Sequence, residues 1–362
     1  MRHILLNPGP VNLSERVRNA LMRPDLCHRE PEFTGLQDNI RNNLLKIYGL
    51  PEAEWAAILL TGSGTAAVEA MLTSVVPDDG YILIIENGIY GERMRRMAET
   101  CHIPFMVLNY DWGSPVKIEE LGKTLQQNNI THVAIVQHET TTGLLNNLAA
   151  IAEVCNEKNI PLLLDGVSSF GAETLEFGKW NIAACAATAN KCLHAVPGVS
   201  FVIVNRQHIE NGSITPRNVY LDLKKYLQQQ DAGRTPFTQA VQCFYALDEA
   251  LRELQDDGGW QQRQRLYKQR MKIIRRGMLA LGIAPFLDEA DCSCVLNAYH
   301  LPSKITYEKL HDSLKAKGFI IYAGQGDLSK ILFRISAMGA ITDDDLHRLI
   351  TEIKIILSPD SP

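Results

Sequence analysis

The stretch AAILLTGSGTAAVEAMLTSVV, residues 56–76, decides the reading of the fold. An apolar run at 56–60 reads as a buried strand, Thr-Gly-Ser-Gly-Thr at 61–65 as a tight turn, and the pattern at 65–76 as a helix. The rhythm repeats outward. Apolar runs lie at 81–85, 104–108, 132–136, 161–164 and 201–204, with helical patterns at 90–100, 118–127 and 148–158 between several of them. Near-continuous apolar strands alternating with helices predict an α/β fold with a mostly parallel sheet covered on both faces. Ligands of such sheets sit at the carboxyl ends of strands, so chemistry is sought in the loops that lead into helices.

Residues 206–238 are polar and irregular, with Asn211-Gly212, Pro216 and Gly233; helical patterns follow at 239–255 and 260–281. The rhythm then changes to a strand at 294–299, a helix at 307–317, strands at 319–322 and 331–335 and a helix at 343–356. The expected division is a large domain, 1–255, and a smaller C-terminal α+β domain, 256–362, with the second long helix as hinge.

A length of 362 residues suits two domains, and 46% hydrophobic with 21% charged residues excludes disorder as the main theme. The net charge of −5 without a basic stripe argues against a nucleic-acid or anionic-membrane surface. No apolar stretch approaches a membrane span, and MRHILLNPGP does not read as a signal peptide. The eight cysteines lack CxxC spacing, and Cys292-Ser293-Cys294 has no partners for a zinc set, so no metal is expected. Unpaired thiols in a chain this size read as a cytoplasmic protein.

Three places carry candidate chemistry. Ser63, Gly64 and Thr65 stand between strand and helix, where glycine lets the backbone approach closely and helix-start N–H groups favour an anion. The spacing fits neither G-x-x-x-x-G-K-[ST] nor G-x-G-x-x-G, so it points to a phosphate without saying which; alone it barely surpasses a capped turn. Asp165 closes an apolar strand, which is unfavourable unless a cation faces it, although Asp before Gly also caps turns. Lys191 is the one charged residue between Lys179 and Arg206. Desolvation would make its amine a nucleophile, yet by itself it reads better as a lysine reaching to the surface.

Together the three change the odds. A phosphate cradle, an acid at a strand end and a lysine one β-α step later are what pyridoxal 5′-phosphate requires. The lysine bonds to the cofactor aldehyde, the acid keeps the pyridine nitrogen protonated, and the cradle anchors the phosphate.

LNPGPV (6–11), DLCHREPEF (25–33), TGSGTAAVEAML (61–72), ENGIYGER (86–93), HETTTG (138–143), DGVSSFGAE (165–173), ATANKCLH (187–194), YLDL (220–223), TPFT (235–238), FIIYAGQG (319–326) and FRISAMG (333–339) occur in an order that resembles the class V aminotransferases. These are fold-type I pyridoxal-phosphate enzymes, and the likeness is strongest to members that use 2-aminoethylphosphonate and pyruvate. It implies a seven-stranded sheet and a homodimer, with residues 1–30 contributing to the active site. Lys191 would carry the cofactor and Asp165 would face its ring nitrogen. Ser63, Gly64, Thr65 and Thr188 would hold the phosphate, with Thr235 reaching in from the other subunit. Tyr90 would stack on the ring, and Thr140 would approach its phenolic oxygen, with Thr141 and Thr142 as close competitors. Arg334 would bind the acidic end of either substrate, with Arg29 as second candidate unless Glu30 or Glu32 pairs with it.

Three positions depart from the family pattern: Ala195 for Gly, Ala337 for Thr and Arg234 for Asn. They leave the proposed catalytic groups in place and bear on the pocket. The resemblance also admits an alanine–glyoxylate or serine–pyruvate type of transaminase. A cysteine desulfurase would need a mobile-loop cysteine where only Cys292 and Cys294 stand, at a strand start. A cofactor-binding regulator without turnover would be supported by an appended DNA-binding helix-turn-helix, and none is expected before residue 5.

Overall fold

A computed structural model describes residues 2–210 and 213–358. At its centre lies a seven-stranded sheet of β1 (Trp55–Gly62), β2 (Ile82–Glu86), β3 (Phe105–Asn109), β4 (His132–Val136), β5 (Leu162–Asp165), β6 (Ile182–Thr188) and β7 (Gly198–Asn205). Their order in space is β1-β7-β6-β5-β4-β2-β3. Four of the six pairings are parallel, and β7 runs antiparallel to both neighbours. β1 therefore runs with β6, and the carboxyl ends of β1, β5 and β6 share one edge. That edge carries Gly62, Asp165 and Thr188.

Strand alternation sends neighbouring side chains into different layers. Leu59, Leu164 and Phe201 pack toward helices Pro31–Lys46 and Val241–Asp256. Leu60, Leu163 and Val202 pack toward helices Gly64–Val75, Ile89–Thr100 and Leu223–Asp231. Both faces are covered, which is why the strands read as continuous apolar runs.

A third cluster forms the C-terminal unit. Three strands, β8 (Leu296–His300), β9 (Tyr322–Ala323) and β10 (Leu332–Ser336), lie in the order β8-β10-β9. Helix Gly259–Ala280 contributes Tyr267, Ile274 and Met278 to this core and packs against helix Asp343–Leu357. Ile4 and Leu6 join the same core, and Ile4–Leu5 pairs in parallel with Phe319–Ile320. The N-terminus thus reaches the C-terminal unit before the chain enters the large sheet. No described helix is long and apolar enough to cross a membrane.

The elements differ from expectation in three places. Residues 182–187, outside the strands predicted from sequence, form most of β6. Four of its seven residues are Ala, a poor β-former, and the strand is stabilised by burial between β5, β7 and helix Gly64–Val75. The segment 206–238 is not wholly irregular. It holds helix Leu223–Asp231, where Asp222 caps the Lys224 and Lys225 N–H groups and Leu223, Tyr226 and Leu227 are buried. The polar runs Lys-Lys and Gln-Gln-Gln masked that apolar spacing, and Asn211-Gly212 lies outside the described residues. The expected strand at 319–322 divides at Ile321, one half pairing with the N-terminus and the other with β10.

Leu164, fully buried one residue before Asp165, tests this packing. Leu164→Ala should lower unfolding free energy by about 2–5 kcal/mol in urea titration, with an unchanged m value.

Candidate active site

The first wall is the β1 turn. Ser63 has extended backbone (φ −82°, ψ 168°) and its hydroxyl makes no cap bond. At the start of helix Gly64–Val75 the Ala66 and Ala67 N–H groups donate to the Ser63 carbonyl at 2.9 and 3.3 Å, and the Gly64 and Thr65 N–H groups precede the intrahelical ladder. Ser63 and Thr65 are exposed, while Gly64 is buried. A Cβ on Gly64 would lie 2.8 Å from Val167 Cγ1 and 3.4 Å from Thr188 Cβ. Only a residue without a side chain lets the β1, β5 and β6 loops meet here. The buried Thr188 hydroxyl donates to Asn190 Oδ1 at 2.8 Å.

Asp165 ends β5 between Val136 and Ala186 and is 6% exposed. Its Oδ1 accepts the Val167 N–H at 2.9 Å. Among the described residues no cation lies within the 4.0 Å of an ion pair. Burial pushes the carboxyl up to about 6; the Val167 N–H, the Arg93 guanidinium and the Lys191 amine offset this only in part.

Lys191 follows β6 by three residues, and its amine donates to the Pro8 carbonyl. Burial pushes the amine down to about 8, with Arg334 and Arg93 acting in the same direction and Asp165 opposing. Gly9, at φ +109°, lies against it: a Cβ there would sit 2.7 Å from Lys191 Cδ. The N-terminal segment therefore covers the lysine.

The remaining wall is a small hairpin, His138–Glu139 paired with Leu144–Leu145. Its turn carries three buried threonines. The Thr141 hydroxyl is engaged by Glu139 at 2.6 Å, whereas those of Thr140 and Thr142 have no partner among the described residues. The Thr140 carbonyl accepts from Arg334 at 2.8 Å, and Arg334 Nε donates to the Ala323 carbonyl at 2.8 Å. Arg334 is 2% exposed and has no ion pair among the described residues, so a strand salt bridge does not account for it. Burial lowers its pKa, while Tyr90 and Glu139 raise it.

Tyr90 opens helix Ile89–Thr100, and its N–H donates to Glu139 Oε2 at 3.1 Å. Two expected residues stand apart. Arg29 is exposed before helix Pro31–Lys46, with no hydrogen bond or ion pair to Glu30, Glu32 or the site among the described residues. Thr235 is buried, and its hydroxyl meets the Pro236 carbonyl at 3.5 Å.

Glu139 and Arg93 were not singled out from sequence. Glu139 is fully buried, and burial pushes its carboxyl up to about 7 despite bonds from Thr141 and Tyr90. Its signal was a carboxylate three residues after the apolar strand β4, hidden by the threonines behind it. Arg93 lies one turn along from Tyr90, with its guanidinium carbon 4.7 Å from the ring centroid. The arrangement offers an amine of lowered pKa, a buried acid without a cation, a helix start suited to an anion, and a buried arginine.

The family model for Aminotransferase class-V matches residues 13–340. A 2-aminoethylphosphonate–pyruvate transaminase from Bacillus cereus (strain AH187) is 33% identical over 356 residues, covering 97% of either chain. An aspartate aminotransferase of subgroup IV from Thermus thermophilus superposes with a TM-score of 0.89 at 27% identity, covering 98% of this chain and 99% of that one. An alanine–glyoxylate aminotransferase from Nostoc sp. gives 0.92 at 23% identity, with 99% and 96% covered, and shows likeness of fold.

The raised Asp165 pKa sets a pH dependence. A carboxyl whose folded pKa exceeds its unfolded value loses stability as pH rises from about 4 to about 6 and holds that deficit above. In protein without ligand, Asp165→Asn should raise unfolding free energy at pH 7 by on the order of 2 kcal/mol, with the gain vanishing near pH 4. Urea unfolding at the two pH values checks this.

Proposed function

Because the chain belongs to the class-V aminotransferase family, we propose that it transfers the amino group of 2-aminoethylphosphonate to pyruvate, giving phosphonoacetaldehyde and L-alanine, with pyridoxal 5′-phosphate as cofactor. The observation that carries this reading is Asp165, a buried carboxylate without a cation, on the same sheet edge as an amine of lowered pKa. The residues fit the cofactor. A protonated pyridine nitrogen is the cation Asp165 lacks, the Lys191 amine suits the aldehyde, and the Ser63–Thr65 turn with Thr188 suits the phosphate. The Thr140 hydroxyl has no partner of its own and suits the phenolic oxygen, and Tyr90 offers an aromatic face.

When bound, pyridoxal phosphate supplies an electron sink for the electron pair left as the amine-bearing carbon loses its proton. Asp165 keeps that sink charged. With the cofactor held there, the Lys191 amine would take the proton from the amine-bearing carbon and return it to the aldehyde-derived carbon on the other side of the nitrogen. The same residues run the steps in reverse with pyruvate. Arg334 binds the acidic end of each substrate: two of its nitrogens are fixed on carbonyls, which aims the charge, and no carboxylate neutralises it.

The same reading divides the chain near residue 255, makes it a homodimer and places it in the cytoplasm. Thr235, with no bond to its own cradle, is left for the partner's, and Val219 nearby in sequence is 74% exposed. The eight cysteines are free thiols. Arg29 is the second candidate, after Arg334, for the acidic end of a substrate.

The test is alanine formation from pyruvate with a panel of amino donors. 2-Aminoethylphosphonate should exceed serine by a wide margin in kcat/KM; a preference for alanine with glyoxylate as acceptor would overturn the assignment. Lys191→Ala should abolish turnover. Arg334→Lys, which keeps the charge but not the fork, should weaken donor and pyruvate together by roughly ten- to a hundredfold in kcat/KM. A loss confined to one substrate would mean that the two anions use different groups.

A further inference from the structure

The cradle of Ser63, Gly64, Thr65 and Thr188 is made of neutral groups, whereas a phosphate monoester carries close to two negative charges at neutral pH. Arg93 lies beside it. One of its terminal nitrogens donates to the Thr65 hydroxyl at 3.4 Å, and its guanidinium is stacked over Tyr90. It lines a narrow cavity with Gly64, Thr65, Asp165 and Val167. It has no ion pair among the described residues.

That placement is electrostatically unfavourable by itself. Arg93 lies near the start of helix Ile89–Thr100 and touches the first turn of helix Gly64–Val75, and both helix starts carry partial positive charge. Asp165, the nearest acid in the cavity, stands too far away for an ion pair. An unpaired guanidinium, two helix starts and threonine hydroxyls together make a site for a dianion.

We propose that Arg93 is a cofactor-binding residue that pairs with the phosphate of pyridoxal phosphate from the Thr65 side, held in place by the Tyr90 ring. The inference rests on the cofactor reading above. The phosphonate of the amino donor has the same chemistry, but Arg334 at the Thr140 turn serves that end. Arg93 contacts the cradle instead.

The experiment titrates wild-type apoprotein, Arg93→Gln and Arg93→Lys with pyridoxal phosphate and with phosphate-free pyridoxal, following the visible absorbance of the lysine-bound aldehyde. Arg93→Gln should weaken pyridoxal phosphate by about ten- to a hundredfold and leave pyridoxal unchanged, with Arg93→Lys in between. Unchanged pyridoxal binding also shows that the Lys191 site is still folded. Equal effects on both aldehydes, or none on either, would overturn the proposal. So would intact pyridoxal phosphate affinity with a raised KM for 2-aminoethylphosphonate, which would give Arg93 to the donor. Absence of any lysine-bound signal in wild type would instead remove the cofactor reading on which the proposal rests.

Discussion

The Asp165 carboxylate organises the site. A charge at the end of a buried strand is unfavourable, and among the described residues one backbone N–H and two distant cations stabilise it. The deficit becomes useful when a ligand brings its own positive charge, because the interaction then forms in surroundings poor in water. The rest of the fold brings other groups to that position. β1 and β6 end on the same edge, Gly64 lets their loops touch, and the N-terminal segment covers the Lys191 amine.

The same constraint divides labour between cations. Lys191 has a lowered pKa through burial and the nearby arginines, so its amine gives up its proton closer to neutral pH than an ordinary lysine does. Arg334 keeps its charge at the other end, tied to the Thr140 and Ala323 carbonyls. It lies on β10, whereas Asp165 closes β5 of the seven-stranded sheet, so the two charges are set by different sheets. Glu139 links the two walls, accepting from Tyr90 at the helix start and from Thr141 in the hairpin.

Much of this was legible in the sequence because chemistry and punctuation coincide. An Asp closing an apolar run, a Gly-Ser-Gly turn between strand and helix, and an isolated Lys placed three loops at one sheet edge. What escaped did so for physical reasons. β6 is built of small residues that suit close helix packing better than they signal a strand. Helix Leu223–Asp231 hides its apolar face among lysines and glutamines. Arg93 and Glu139 stood within recognised stretches, but charged residues are common at helix starts and turns. Their meaning depends on missing partners, which only coordinates reveal. Thr140 and Thr141 were separable for the same reason, since one hydroxyl is engaged by Glu139 and the other is not.

The central claim is that Lys191 is the residue that carries the cofactor, and covalent trapping tests it most directly. Protein mixed with pyridoxal phosphate is reduced with borohydride, digested and mapped by mass spectrometry. The account predicts one stoichiometric phosphopyridoxyl group, on the peptide containing Lys191. Trapping spread over surface lysines, with the Lys191 peptide unmodified, would contradict it.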